Sequence, residues 1–170
     1  MRRKRNEQGA SAVEFALVLP FICLVLFGMI TTGFSYNDHL SISNAVREGG
    51  RFGAAVDYTQ AGWATSVRDR VKDVYFNDGS TLTDAQICVK IVNSAGAAPT
   101  SSNSWTGASC GTAPTLPSSM ATGSCVVMVW VRKPANIDLL IFPDLNFNIG
   151  AKSVAYYGRT VGGVGGCTAS

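Results

Sequence analysis

The chain has 170 residues, a formal net charge of +3 and five cysteines. After a basic start and one apolar stretch, the remaining length suffices for one small domain and excludes a second full one. Most of the basic excess comes from four residues near the start, Arg2, Arg3, Lys4 and Arg5. The rest is nearly charge-balanced, which argues against a folded nucleic-acid-binding surface.

The first predicted element is a transmembrane helix at residues 10–33. Glu14 and Cys23 are its only ionisable side chains. At about 1.5 Å per residue the segment is long enough to span the roughly 30 Å hydrocarbon core of a bilayer. Pro20 lies inside it and should kink the helix, because proline removes one backbone hydrogen bond.

The flanks of this helix predict its orientation. Positively charged flanks resist translocation, so the basic leader at residues 1–9 is expected in the cytoplasm. Residues 34–170 are then expected outside the cytoplasmic membrane, in the periplasm or at the cell exterior. A cleaved secretory signal peptide is the alternative, but the apolar segment exceeds the roughly 7 to 15 residues usual for one, and no clear small-x-small site follows it.

The membrane helix is expected to continue into the outer domain. Between Phe34 and Tyr58 a stripe of apolar residues recurs at helical spacing: Leu40, Ile42, Ala45, Val46, Phe52 and Val56. Gly49, Gly50 and Gly53 weaken this helix. Close packing against another backbone would explain that cluster of glycines.

A second helix and three strands are predicted beyond it. The helix spans Gln60–Phe76 and has an apolar face formed by Trp63, Val67, Val71, Val74 and Tyr75. Its opposite face is charged and is formed by Arg68, Asp69, Arg70, Lys72 and Asp73. Period-two alternation predicts strands at Gln86–Asn93, Cys125–Arg132 and Phe147–Tyr157. The order of elements indicates an α+β fold with a small antiparallel sheet.

The first two strands are separated by Ser94–Ser124, about thirty residues rich in small and polar side chains. That is long for a loop inside a compact domain, so we expect either a functional surface loop or a segment stapled by a disulfide. The glycine-rich tail at residues 158–170 is expected to be flexible unless Cys167 holds it.

Four cysteines lie beyond the membrane segment: Cys88, Cys110, Cys125 and Cys167. An even number in an oxidising compartment predicts two disulfides, and the sequence leaves the pairing open.

No constellation of catalytic residues is found. His39 is the only histidine, and no cysteine accompanies it at metal-ligand spacing. No Walker loop, dinucleotide fingerprint or G-x-S-x-G elbow is present. We therefore predict a protein that is not an enzyme and that has no metal or other cofactor.

The junction Gly9-Ala-Ser-Ala-Val-Glu14-Phe15 resembles the processing site of type IV pilin-like proteins of the Flp/Tad branch. The likeness continues through Val13–Pro20, Leu26–Gly28 and Asn44–Ala54, and is to the TadE-like family of minor pilins and pseudopilins. It implies that a prepilin peptidase cuts between Gly9 and Ala10 and that the mature chain begins at Ala10.

The resemblance also gives Glu14 and the following Phe15 a role in assembly. It implies that Glu14 of one subunit meets the amino group of Ala10 on a neighbour and fixes their axial register. Without the resemblance, Glu14 would be interpreted as a lone interfacial carboxylate, stabilised by headgroup water and by the positive end of the helix dipole.

Arg47, Glu48 and Arg51 occupy neighbouring helical positions, where Glu48 and Arg51 can form an ion pair. A solvated helix face is the default interpretation. The functional alternative is a contact with another pilin subunit near the membrane surface.

These observations predict a membrane-anchored minor pilin or pseudopilin that acts in the assembly of Tad/Flp-type pili. Its expected partners are a prepilin peptidase, other pilin-like subunits, the inner-membrane assembly platform and membrane lipid. The alternative is an unprocessed, membrane-tethered binding or adhesion module with its ligand contacts in Ser94–Ser124.

Overall fold

The computed structural model describes residues 8–75, 81–98, 104–137, 145–158, 160–161 and 164–165. The chain forms two compact units, a first that ends at Tyr36 and a second that begins at Asn37. One helix, α1 (Gln8–Ala55), contributes residues to both. The predicted continuation of the apolar helix is therefore confirmed, with Pro20 inside α1.

Within the second unit, α1 buries only part of the predicted apolar stripe. Ile42, Ala45 and Val46 are fully buried, whereas Leu40 is 43% exposed. A Cβ at Gly49 would collide with Cγ2 of Val71, and one at Gly53 would lie 3.0 Å from Cγ1 of Val127. The glycines thus permit a close approach, as predicted, but the approaching atoms belong mainly to side chains rather than to another backbone.

Helix α2 (Trp63–Val74) is shorter than predicted. It begins directly after Gly62, whose φ of 80° lies in the left-handed region that glycine adopts without strain. The indole N–H of Trp63 donates a hydrogen bond of 3.1 Å to the carbonyl of Gly53. Phe76, the predicted last residue of this helix, lies outside the described residues.

The second unit contains a four-stranded antiparallel sheet in the order β2-β1-β3-β4. Its strands are β1 (Ile87–Asn93), β2 (Ser104–Thr106), β3 (Cys125–Ile137) and β4 (Leu145–Tyr157). A 3-10 helix, Asp84–Gln86, precedes β1. The predicted α+β class and antiparallel sheet are confirmed.

The strands differ from the prediction in three respects. β2 is short and lies within the segment expected to be a loop. β3 continues past Arg132, and β4 begins at Leu145, because the two strands keep pairing through polar residues and Pro134. A small separate sheet pairs β5 (Thr160–Val161) with β6 (Val164–Gly165), and the other residues of the predicted flexible tail beyond Gly158 lie outside the described part of the chain.

Both faces of the sheet are covered at its centre. One face packs with buried residues of α1 and α2 and contributes Ile87, Val89, Ile91, Val127, Val129 and Val131. The opposite face contributes Cys88, Val92, Val126, Met128 and Trp130, against which Leu116 and Met120 of the β2–β3 connection pack. Burial on both faces explains why the central strands are nearly continuous in apolar residues.

Candidate membrane and assembly interface

The first unit presents an apolar surface on all sides of α1. Every large apolar side chain between Val13 and Ile30 is exposed, from 41% at Leu19 to 72% at Phe21. A helix that is apolar all round is stable in a membrane or against other apolar helices rather than in water. By length and composition α1 can cross a membrane.

Hydroxyl groups near the end of this surface are hydrogen-bonded within the helix. The Thr31 hydroxyl donates to the carbonyl of Phe27 at 2.9 Å, and that of Thr32 donates to Gly28 at 2.7 Å. Ser35 donates in the same way to Thr31 at 3.2 Å. These hydroxyl groups therefore need no water molecule as a hydrogen-bond partner, and they are compatible with an apolar environment.

The residues of the predicted processing and register site lie at the beginning of α1. Gly9 and Ala10 belong to the helix, and Glu14 and Phe15 are both exposed. Among the described residues, Glu14 has no hydrogen bond or ion pair, although apolar side chains surround it along the chain. Within the described residues the carboxylate is therefore available to a partner.

The three residues of the predicted subunit contact are placed differently from one another. Glu48 accepts a hydrogen bond of 3.0 Å from Arg70 of α2, so the ion pair expected with Arg51 is replaced by one between two helices. Arg47 and Arg51 are exposed, and neither forms an ion pair with any described residue. The three side chains therefore do not act as one cluster within this chain.

A buried polar cluster, which the sequence did not predict, joins three elements of the second unit. The Tyr75 hydroxyl, just after α2, donates to Asp38 of α1 at 2.5 Å. Lys133 of β3 donates to Asp38 at 3.0 Å and to the Tyr75 oxygen at 2.7 Å. The only signal in the sequence was a carboxylate next to His39, at a position that proves to be buried although His39 itself is exposed.

The disulfide between Cys88 and Cys110 holds the β2–β3 connection against β1, with 5.8 Å between the Cα atoms. We expected Ser94–Ser124 to be either a functional surface loop or a segment held by a disulfide, and the second expectation is confirmed. Cys125 is also disulfide-bonded. Cys167 lies outside the described residues, and Cys23 is free.

The charged face predicted for α2 is only partly solvated. The Arg68 side chain is 12% exposed, pairs with Asp84 at 3.1 Å and stacks 4.3 Å from the ring centroid of Trp105 in β2. A hydrogen bond from Lys72, together with the charge of Arg68, holds the pKa of Asp84 below its ordinary value against the opposing effect of burial. This network fixes β2 and the 3-10 helix to α2.

Residues 9–51 match the model of a family described as TadE-like protein. The match covers most of α1 and none of the sheet. It coincides with the segment whose motifs resemble that family. No curated protein and no solved structure matches the chain.

Proposed function

We propose that the chain is a minor pilin or pseudopilin of a Tad-type pilus system. α1 anchors it in the cytoplasmic membrane, with residues 1–9 inside and the second unit outside. A prepilin peptidase removes the leader at Gly9–Ala10. The mature protein then assembles with other pilin-like subunits and with the inner-membrane platform.

The observation that carries this proposal is the exposed apolar surface between Val13 and Ile30. A simple lipid anchor needs such a surface, and so does a helix that exchanges lipid for neighbouring helices. The position of Glu14 favours the second role. A carboxylate inside an apolar segment is costly unless it is paired, with a cost of at least about 2.5 to 3.5 kcal/mol at the bilayer centre and less near the helix end.

Cleavage would create the missing partner for that carboxylate. A mature chain that begins at Ala10 carries a positively charged amino group four residues before Glu14. Within one helix the two groups lie at neighbouring positions, and between staggered helices one amino group can reach the Glu14 of another chain. The second arrangement sets an axial register, because each pair forms at only one offset between the helices.

The proposal is tested by the mass of the chain after co-expression with a Tad-type prepilin peptidase. We expect the mass to fall by that of the segment from Met1 to Gly9, and we expect Gly9→Ala to prevent the change. Gly28→Ala is the matched control, since a Cβ there would meet no atom within 4 Å. A wild-type chain that keeps Met1 beside an active peptidase would refute processing.

A further inference from the structure

A cleft lined by both polar and apolar residues lies on the sheet face that carries the disulfide. It consists of two adjoining depressions of about 400 and 390 Å³, which share Arg132 and Asn148 as lining residues. The first is also lined by Thr83, Gln86 and Ser109, and the second by Thr112 and Lys152. Each volume falls in the range of about 300 to 1,000 Å³ that is usual for small-molecule sites.

The floor of the cleft is a glycine. Arg132 of β3 pairs with Gly150 of β4, and Asn148 and Lys152 lie two residues to either side of that glycine on the same face. A Cβ at Gly150 would lie 2.8 Å from the carbonyl oxygen of Val131, so no other residue fits there without a shift. A glycine inside a strand leaves room for close approach of a ligand to the backbone.

One wall of the cleft is held in place by the disulfide. Gly111 follows Cys110 with a φ of 75°, in the left-handed region. Its carbonyl accepts a hydrogen bond of 3.3 Å from the indole N–H of Trp130. A Cβ at Gly111 would lie 3.0 Å from Cδ of Arg132, so the absence of a side chain allows Arg132 to lie along the wall. The cleft is therefore preformed rather than dependent on a mobile loop.

The charges of the cleft are not compensated within the described part of the chain. Arg132 and Lys152 are exposed and form no ion pair there, and no acidic residue lines either depression. Three other cations of this unit, Arg68, Lys72 and Lys133, are paired with carboxylates, whereas Arg47, Arg51 and Lys90 lie outside the cleft and form no ion pair with a described residue. The two unpaired cations of the cleft lie at diagonal positions on neighbouring strands, about 7 to 8 Å apart by ordinary sheet geometry and somewhat less at their Cβ atoms.

We propose that this cleft binds an acidic oligosaccharide through a uronate-type carboxylate held by Arg132 and Lys152. A guanidinium group can bind a carboxylate with two parallel hydrogen bonds. Sugar hydroxyls both donate and accept hydrogen bonds, and the side-chain amides of Asn148 and Gln86 and the hydroxyls of Ser109, Thr83 and Thr112 match that requirement.

A sugar fits the cleft better than an acidic peptide does. A peptide that pairs with β4, the edge strand of the described sheet, would lie in the plane of the sheet beside the cleft rather than in it. Trp130 is buried, so its ring is not open to anchor a peptide side chain. The binding site is independent of leader cleavage, and it uses part of the segment Ser94–Ser124.

The test is calorimetric titration of the full chain in detergent micelles with trigalacturonate and with a hyaluronate tetrasaccharide. We expect at least one to bind saturably and its methyl ester to bind at least tenfold more weakly. Arg132→Ala and Lys152→Ala should each weaken binding at least fivefold. Lys90→Ala is the matched control and should bind like wild type, because Lys90 lies on the same sheet face outside the cleft.

Four results would overturn the proposal. The first two are absence of saturable binding of both acidic sugars, and binding of the methyl esters as tight as that of the acidic sugars. The third is unchanged affinity in the Arg132→Ala/Lys152→Ala double variant. The fourth is binding of a triglutamate peptide as tight as that of the sugars. The last result would assign the cleft to acidic peptides. Circular dichroism and a cooperative thermal transition would show that each exposed-residue variant is folded.

Discussion

Lys133 shows how a single side chain can connect distant parts of the second unit. Burial lowers its pKa, but hydrogen bonds to Tyr75 and Asp38 and the charge of Asp38 together raise it above the ordinary value of 10.5. Asp38 and Lys133 are 95 positions apart in the sequence. Their pairing depends on how α1 packs beside β3, which is why the sequence alone did not reveal it.

Removing the ammonium group should therefore destabilise the second unit. We expect Lys133→Met to lower the free energy of unfolding by about 2 to 4 kcal/mol, because Asp38 would keep its buried charge without that partner. Lys90→Met, at a lysine that forms no ion pair with any described residue, should change it by less than about 0.5 kcal/mol. Denaturant titration followed by tryptophan fluorescence measures both, and equal effects would contradict a stabilising role for the cluster.

The same lysine makes stability depend on alkaline pH. Because its pKa is higher in the folded state, this contribution is complete below the unfolded value of 10.5 and is lost as the pH rises through the folded value. Wild type should thus lose more stability above pH 10.5 than Lys133→Met does. Parallel loss in both proteins would show that the alkaline transition has another origin.

Glu14 is the residue on which assembly is expected to depend. Glu14→Gln keeps the size of the side chain but removes the charge that pairs with the amino group of a neighbour. We expect it to be cleaved normally, by mass, yet to reduce the yield of sheared pili as strongly as Glu14→Ala. Glu14→Asp keeps the charge and should retain part of the yield. Normal pilus yield with Glu14→Gln would exclude the register role.

At the scale of elements, apolar periodicity located the helices and the central strands but not the strand ends. β3 continues through Lys133 and Pro134 to Ile137, where polar residues interrupt the apolar pattern and pairing with β4 maintains the strand. β4 begins at Leu145, two residues before the predicted start. β2 was missed because three residues carry too little pattern, and its position depends on Arg68 and on the nearby disulfide.

The disulfide should stabilise these elements measurably. Cys88 and Cys110 are 22 positions apart, and closing a loop of that length is worth about 3 kcal/mol in the chain-entropy description. We expect Cys88→Ser/Cys110→Ser to lower the free energy of unfolding by about 2 to 4 kcal/mol. Cys23→Ser, at the free cysteine of α1, is the control and should have little effect on the unfolding of the second unit. An unchanged transition in the double variant would show that the staple is not needed.

Across the whole molecule, the sequence consists of an apolar first part and a polar remainder. The boundary between the two structural units lies close to the boundary between these two parts of the sequence. The candidate site was only partly predictable. Glu14 stood out as the lone carboxylate in an apolar run, whereas the role of Gly9 came only from resemblance. The cleft around Arg132 could not be foreseen, because it joins residues of two strands and of the β2–β3 connection.

The central claim is that the apolar surface of α1 contacts other pilin-like subunits and not lipid alone. It is tested most directly by a photo-crosslinking amino acid in place of Phe21, the most exposed aromatic residue of that surface, in cells with a complete Tad pilus system. We predict covalent adducts with pilin-like subunits that disappear in cells without the other pilus proteins. Adducts with lipid only, in cells that make pili, would contradict the account.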